Sequence, residues 1–597
     1  MLSDIFAQIE SRLNPNHPEN GIHDPIARVA ALSTVDKGIY AASKGIDAAR
    51  ESIRSLLTRR NTLVPISVLP PEILARVFHL LVRKEPPFCG RRKNLGWIRV
   101  THVCRHWRQV ALGDSSLWSK ISGMLANTKW ISEMLARAKN APLDIDLNAL
   151  RRSNPETLLM IPPHLSHTRQ LRFHGLSTLH SNIIREMYSY EAPTLEHLEL
   201  TVNVDSPITF RSISGYMLFK GHAPRLRTLS LSEVVIPWSH IPCGQLTQLQ
   251  IACSIEGAHY PGVLNQLIDL LVNCPGLEIL ALNSCLPSQL TDSEFSHGRT
   301  IHLPHLSRLR LCGSTSRIIN MLKMLNLPSS TTLHLNCIFN STHNDSELLL
   351  LPVISAQFQS PPLVEFKSLI ATIWGDKTLQ ITALTIPPTL QNHRTLHFDR
   401  DMVSNAELVL SFDKLSGSGL STDLLKRACK IFPISNLEFI SFATWMTTNI
   451  IDINWVELFS CCTNVTMMKA IGLGTSSLVR TLTTPTVANP ESSKEGRKRK
   501  RANKESTVVQ PANTVAYLHA AVFPKLKFLE VREQNFAEGN LFYIFEKGLQ
   551  QRMVASDVPL TSLCISRCDI STERANDLRK LVQYFYWDED EEGLSGV

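Results

Sequence analysis

A short apolar spacing that keeps returning constrains this 597-residue chain more than any other feature. Leu195-x-x-Leu198-x-Leu200, Leu226-x-x-Leu229-x-Leu231, Leu277-x-x-Leu280-x-Leu282, Leu306-x-x-Leu309-x-Leu311 and Leu526-x-x-Leu529-x-Val531 share one pattern. Each stands two residues after a proline: Pro193, Pro224, Pro275, Pro304 and Pro524. Weaker copies lie at Leu171/Phe173, Leu246-Leu249-Ile251, Leu333/Leu335, Leu437-Ile440-Phe442 and Leu560-Leu563-Ile565. The last two apolar residues of a copy are two apart, so in an extended segment both point to one side; the first packs in the turn before them. The proline favours an extended approach and stops any helix arriving from upstream. Between copies, apolar residues fall at helical spacing over Val263–Val272, Ile318–Leu325, Leu424–Phe432, Trp455–Phe459, Leu541–Leu549 and Ala575–Phe585. Strand, turn and helix returning about every thirty residues predict stacked units, with parallel strands on one side and helices on the other.

The series resembles leucine-rich repeats. The resemblance implies an α/β fold: a curved, irregular solenoid with parallel strands on its concave face and helices outside. The spacing is uneven, and the asparagine expected near the end of each strand turn is mostly missing. Register is hardest to follow between Asn340 and Ser421, where Ile381-Leu384-Ile386 and Leu396/Phe398 fall too close together for one repeat. An insertion or a paired-strand irregularity is expected there.

Upstream lies a different unit, Pro65 to Ile121. Leu69-Pro70-Pro71-Glu72-Ile73-Leu74 opens a helix, because proline is tolerated in a first turn and Glu72 suits the positive end of the helix dipole. Ile73, Leu74, Val77, Phe78, Leu80 and Leu81 then recur at helical spacing. Pro86-Pro87 ends that helix and a basic loop follows. Leu95, Ile98, Val100, Val103, Cys104, Trp107 and Val110 predict one or two further short helices, closed by Leu117-Trp118. So small a unit buries little surface, and Leu69, Pro70 and Ile73 at its leading edge have no evident cover, as a docking surface would not. The LPPEIL opening, the VCRHWR stretch Val103–Arg108 and the closing Leu-Trp resemble an F-box, in the F-box-like form common in fungal proteins. That resemblance implies docking onto a Skp-type adaptor of a cullin–RING ubiquitin ligase through Leu69, Pro70, Ile73 and Leu74 with Val77 behind them. Val103, Trp107 and Trp118 would hold the unit's own core. The repeats would then bind a target protein, which the sequence does not identify. The alternative is a repeat-based interaction scaffold that recruits no ligase.

The remaining segments are read from composition and spacing. Residues 1–24 are polar and loose. Within a helix over 25–60, Leu32, Val35, Ile39, Ala42, Ile46, Ala49, Ile53 and Leu56 alternate steps of three and four, a heptad seam. Two alanines in that seam, with Gly38 and Gly45, weaken it; it either self-associates or folds back on its own chain. After the F-box-like unit (65–121) comes a helical bridge (122–150), with Trp130, Ile131, Met134 and Leu135 on one face and an alternating LDIDLNAL strand. Repeats over 151–482 are interrupted by a polar loop, 483–513, too poor in apolar residues to repay its ordering entropy. It carries Arg497-Lys498-Arg499-Lys500-Arg501, which reads either as a nuclear import signal or as a solvated charge run. Repeats resume over 514–587, where Tyr584, Phe585, Tyr586 and Trp587 either cap the stack or pack ordinarily, and 588–597 is a frayed acidic tail.

Much of the +8 net charge comes from the run near residue 500, so no nucleic-acid surface is expected. The thirteen cysteines form no even framework and no zinc spacing, which points to reduced thiols and an intracellular protein, nuclear or cytoplasmic. No secretory leader or membrane span is expected. No phosphate-binding loop, nucleophile turn or HExxH motif occurs, and the twenty-one histidines lack metal-ligand spacing. The expectation is a protein that is not an enzyme and takes neither cofactor nor metal.

Overall fold

The structure, a computed structural model, describes residues 7, 11, 25–89, 93–122, 128–148, 158–176, 181–202, 208–209, 217–254, 264–287, 300–339, 346–359, 364–375, 377–391, 395–397, 406–415, 420–445, 455–472, 475–481, 522–537, 540–555 and 558–588. It divides into two compact units, Met1–His174 and Gly175–Val597. The basic run 497–501, the polar loop around it and most of 1–24 and 588–597 lie outside the described residues.

In the first unit, α1 (Pro25–Thr62) is one helix of 38 residues. Its seam residues Leu32, Val35, Ile39, Ile46, Ile53 and Leu56 are all exposed, with no cover from the described residues. Then follow α2 (Pro71–Lys84), a 3-10 turn over Gly96–His102, α3 (Arg105–Gly113) and a 3-10 turn over Ser115–Trp118. The chain passes directly from there into a sheet. Strand β1 (Lys120–Ser122) pairs in parallel with β2 (Leu143–Asn148), which pairs in parallel with β3 (Thr168–Leu176). Helix α4 (Thr128–Ala138) connects β1 and β2 and buries Ile131, Met134 and Leu135.

The second unit is built on a large, mostly parallel sheet. Its first six strands are β4 (His197–Val202), β5 (Thr228–Ser232), β6 (Gln248–Ala252), β7 (Ile279–Asn283), β8 (Arg308–Ser314) and β9 (Thr332–Ile338). Each pairs in parallel with the next. Register aligns the two alternating apolar positions of every copy: Leu198, Leu229, Leu249, Leu280, Leu309 and Leu333 form one row, and Leu200, Leu231, Ile251, Leu282, Leu311 and Leu335 the next. Every one is at most 1% exposed. A one-residue slip would turn both rows to solvent, which is what holds the register.

The crowded region 340–421 contains an inserted hairpin. Strands β10 (Ser368–Trp374) and β11 (Thr378–Leu384) are antiparallel, and β11 pairs antiparallel with β12 (Leu408–Asp413). It is β12 that continues from β9, while β10 leads on to β13 (Phe439–Trp445). The order resumes in parallel through β14 (Met467–Ile471), β15 (Phe528–Arg532), β16 (Ser562–Ser566) and β17 (Tyr584–Trp587).

Strand β17 corrects a sequence expectation. The final helix ends at Arg579 instead of running to Phe585, and the four aromatics pair with Ser562–Ile565. Consecutive aromatics favour an extended, half-buried surface over a helix. Helices Leu264–Val272, Thr315–Met324, Ser346–Gln359, Leu420–Ile431 and Leu541–Ala555 lie between strands, and those from Thr315 to Phe459 pack each on the next. Two buried cysteines stand where an asparagine was missed: the thiols of Cys285 and Cys568, each three residues after the last apolar residue of a copy, donate to the carbonyls of Ile251 and Val531.

Candidate docking face

Helix α2 begins where its sequence says it should. Pro70 is extended (φ −54°, ψ 145°) and Pro71 occupies the first turn, where no intrahelical bond is lost. From there two apolar stripes run along opposite sides. The inner stripe, Leu74, Phe78 and Val82, steps by four and is at most 9% exposed. The outer stripe, Ile73, Val77 and Leu80, faces solvent at 42%, 39% and 58% exposure. Leu69 is half-buried and Pro70 exposed at its head, next to Ile66 and Val68, which are also exposed.

Two expected roles are thereby corrected. Leu74, expected in the docking row, lies fully inside, because on a helix the residue after Ile73 points about 100° away from it. Val103, expected in the core, is 57% exposed; it follows the 3-10 turn, whose tighter winding gives the inside to Trp97, Ile98 and Val100. Leu80 is a member of the outer row that spacing from Ile73 could have identified.

The core behind this row is aromatic. Phe78 meets half-buried Trp107 with ring centres 5.3 Å apart, and Trp97 meets Trp118 edge-on at 4.9 Å. Trp118 is fully buried; its Nε1 donates to the Ala111 carbonyl at 2.8 Å, and the Arg137 guanidinium of α4 lies 4.3 Å over its ring. Gly96 is required: at φ +53°, a Cβ would lie 2.4 Å from the Glu85 carbonyl oxygen. That approach lets the Trp97 N–H donate to the same carbonyl at 2.8 Å, tying the second segment to the end of α2.

Beside the row, Asp114 accepts from the backbone N–H and hydroxyl of Ser116, and His79 Nε2 lies 3.0 Å from its other oxygen. Burial pushes the Asp114 carboxyl up, but these hydrogen bonds outweigh it and hold its pKa below the ordinary value. Serine, histidine and aspartate together invite a catalytic reading. Ser116 and Asp114 both address the same nitrogen of His79, whereas a relay needs them on opposite nitrogens. The trio is a cap for the 3-10 turn at Ser115.

Elsewhere, burial holds the Cys253 and Cys429 thiols up at about 12 and pushes Cys285, Cys337 and Cys462 upward too. Thiols so protonated are poor nucleophiles and metal ligands. His102 and His106 fall in different helical segments, and among the described residues no three His, Cys, Asp or Glu side chains form a group able to hold a metal ion. Among those residues, too, no helix is long and apolar enough to cross a membrane.

In the second unit, the polar side of the sheet carries Arg308 and Arg310 on β8 beside His334 on β9. Burial first, then the two arginines, lower the His334 pKa, against the raising effect of its hydrogen bond to the Ala406 carbonyl.

No curated protein matches the chain. A family model described as F-box-like matches residues 66–123, and the aromatic-cored unit with its exposed Ile73–Val77–Leu80 row is accordingly an F-box-like domain.

Proposed function

We propose that this chain is a substrate-recognition adaptor of an SCF-type cullin–RING ubiquitin ligase. F-box-like domains generally bind Skp-type adaptors, and the observation carrying the proposal is the exposed apolar row that this domain presents. Leu69, Pro70, Ile73 and Val77 would dock the adaptor, with Leu80 extending the row. The second unit, read as an irregular leucine-rich-repeat solenoid, would hold the target on the polar side of its sheet, where Arg308, Arg310 and His334 stand. The chain's contribution is proximity: raising the target's local concentration near the transfer machinery, with no chemistry of its own. The setting is intracellular, nuclear or cytoplasmic, with the run Arg497–Arg501 as an import signal.

Co-purification from native cells tests this reading. The wild type is expected to bring down a Skp-type adaptor and a cullin, and Leu69→Ala/Pro70→Ala to lose both while keeping its folded spectrum. A wild type that captures other proteins but no adaptor would make the chain a scaffold instead.

A further inference from the structure

Helix α1 presents a seam that none of the described residues of its unit covers, and the seam's own pattern specifies a partner. Leu32, Val35, Ile39, Ile46, Ile53 and Leu56 are between 39% and 67% exposed along a helix of 38 residues. We propose that two copies of this chain pair through α1 as an antiparallel coiled coil. Leu32 then faces the partner's Leu56, Val35 the partner's Ile53, Ile39 the partner's Ala49, and Ala42 the partner's Ile46.

Size selects this arrangement. In a heptad seam the alternate positions are Leu32, Ile39, Ile46, Ile53 and Val35, Ala42, Ala49, Leu56. Antiparallel packing sets one group against the other, so each alanine meets an isoleucine and the layers come out even. Parallel packing in register would set Ala42 on Ala42 and Ala49 on Ala49, two hollow layers between bulky ones, and hollow layers are costly.

Charge selects it independently. Asp36 and Arg50 lie along the same edge of the seam, each one residue after a seam position. Antiparallel pairing brings Asp36 beside the partner's Arg50, twice by symmetry; parallel pairing sets them beside Ala31 and Gly45, which carry no charge. In the single chain Arg50 meets Asp47 at 3.4 Å in an exposed pair, which costs little to exchange. The opposite edge carries Ala31, Gly38, Gly45 and Ser52. Glycine in an exposed helix costs about 1 kcal/mol against alanine; at a close helix crossing it admits the partner backbone.

The two copies of Thr62 would stand about 54 Å apart at a rise of 1.5 Å per residue, directing two F-box-like domains to opposite ends of one coil. The pairing does not depend on ligase recruitment.

Sedimentation and oxidative cross-linking of the full chain test it. The wild type should run at twice 66.9 kDa, and Ile39→Asp/Ile46→Asp should be monomeric with its folded spectrum kept, since both side chains are exposed in the single chain. Asp36→Arg should weaken association about tenfold, and Asp36→Arg/Arg50→Asp should restore it to within about threefold. Ile39→Cys/Ala49→Cys should form an α1–α1 disulfide, mapped by peptide mass because Cys243 and Cys461 are also exposed; Ala49→Cys alone should not. A monomeric wild type, a charge swap that fails to restore, or cross-linking by Ala49→Cys alone would each overturn the proposal. So would a monomer whose Ile39→Asp/Ile46→Asp form loses the Skp-type adaptor, because the seam would then belong to that partner.

Discussion

Ile73 and Leu74 are adjacent aliphatic residues with opposite fates, 42% exposed and fully buried. Spacing placed both on the helix, but only the packing of Phe78 on Trp107 decides which stripe faces inward. Leu74→Ala should therefore cost about 2–4 kcal/mol of unfolding free energy, and Ile73→Ala less than about 1 kcal/mol, as read by denaturant titration. Histidine burial gives a second test at this scale. His164, His167, His240 and His334 all have pKa values lowered by burial, and His164 and His167 lie ring to ring at 5.3 Å. Each takes up a proton less readily in the folded chain than in the unfolded chain, where a histidine titrates near pH 6.5. Their contribution is whole above that pH and fades as the pH drops through the folded values. The melting midpoint should fall between pH 7 and 5, and His334→Gln should flatten that fall.

At the scale of elements, the strands with two in-register leucines were the most legible, because alternation with a buried face admits one register only. The inserted hairpin was legible merely as crowding. Its strands β10 and β11 alternate as the others do, and single-chain alternation says nothing about direction or neighbour. The aromatic end was misread as helix for a related reason: Tyr584–Trp587 follows a helical stretch without a glycine or proline to mark the change. Gly472, just after β14, stands at φ +84°, where a Cβ would fall 1.9 Å from the Thr444 carbonyl oxygen. Gly472→Ala should force β13 and β14 apart there, costing several kcal/mol (about 3 or more) and lowering soluble yield. Wild-type yield and melting would show that this approach is dispensable.

For the molecule as a whole, the sequence conveyed what local chemistry can: a small aromatic module with an apolar edge and a stretch of strand–helix units. It conveyed less about how each surface is used. Val103 was assigned to the core because VCRHWR resembles a motif, while the actual inside is set by the 3-10 turn before it and by Gly96. The central claim is that the outer row of α2 is a binding surface and the inner row is not. Titrating purified Skp-type adaptor into the full chain, wild type and Ile73→Asp/Val77→Asp, measures this directly. The wild type should bind, and the variant should lose at least about a hundredfold in affinity while melting within a few degrees of it. Equal binding by both, with Leu69→Ala/Pro70→Ala also unaffected, would contradict the account.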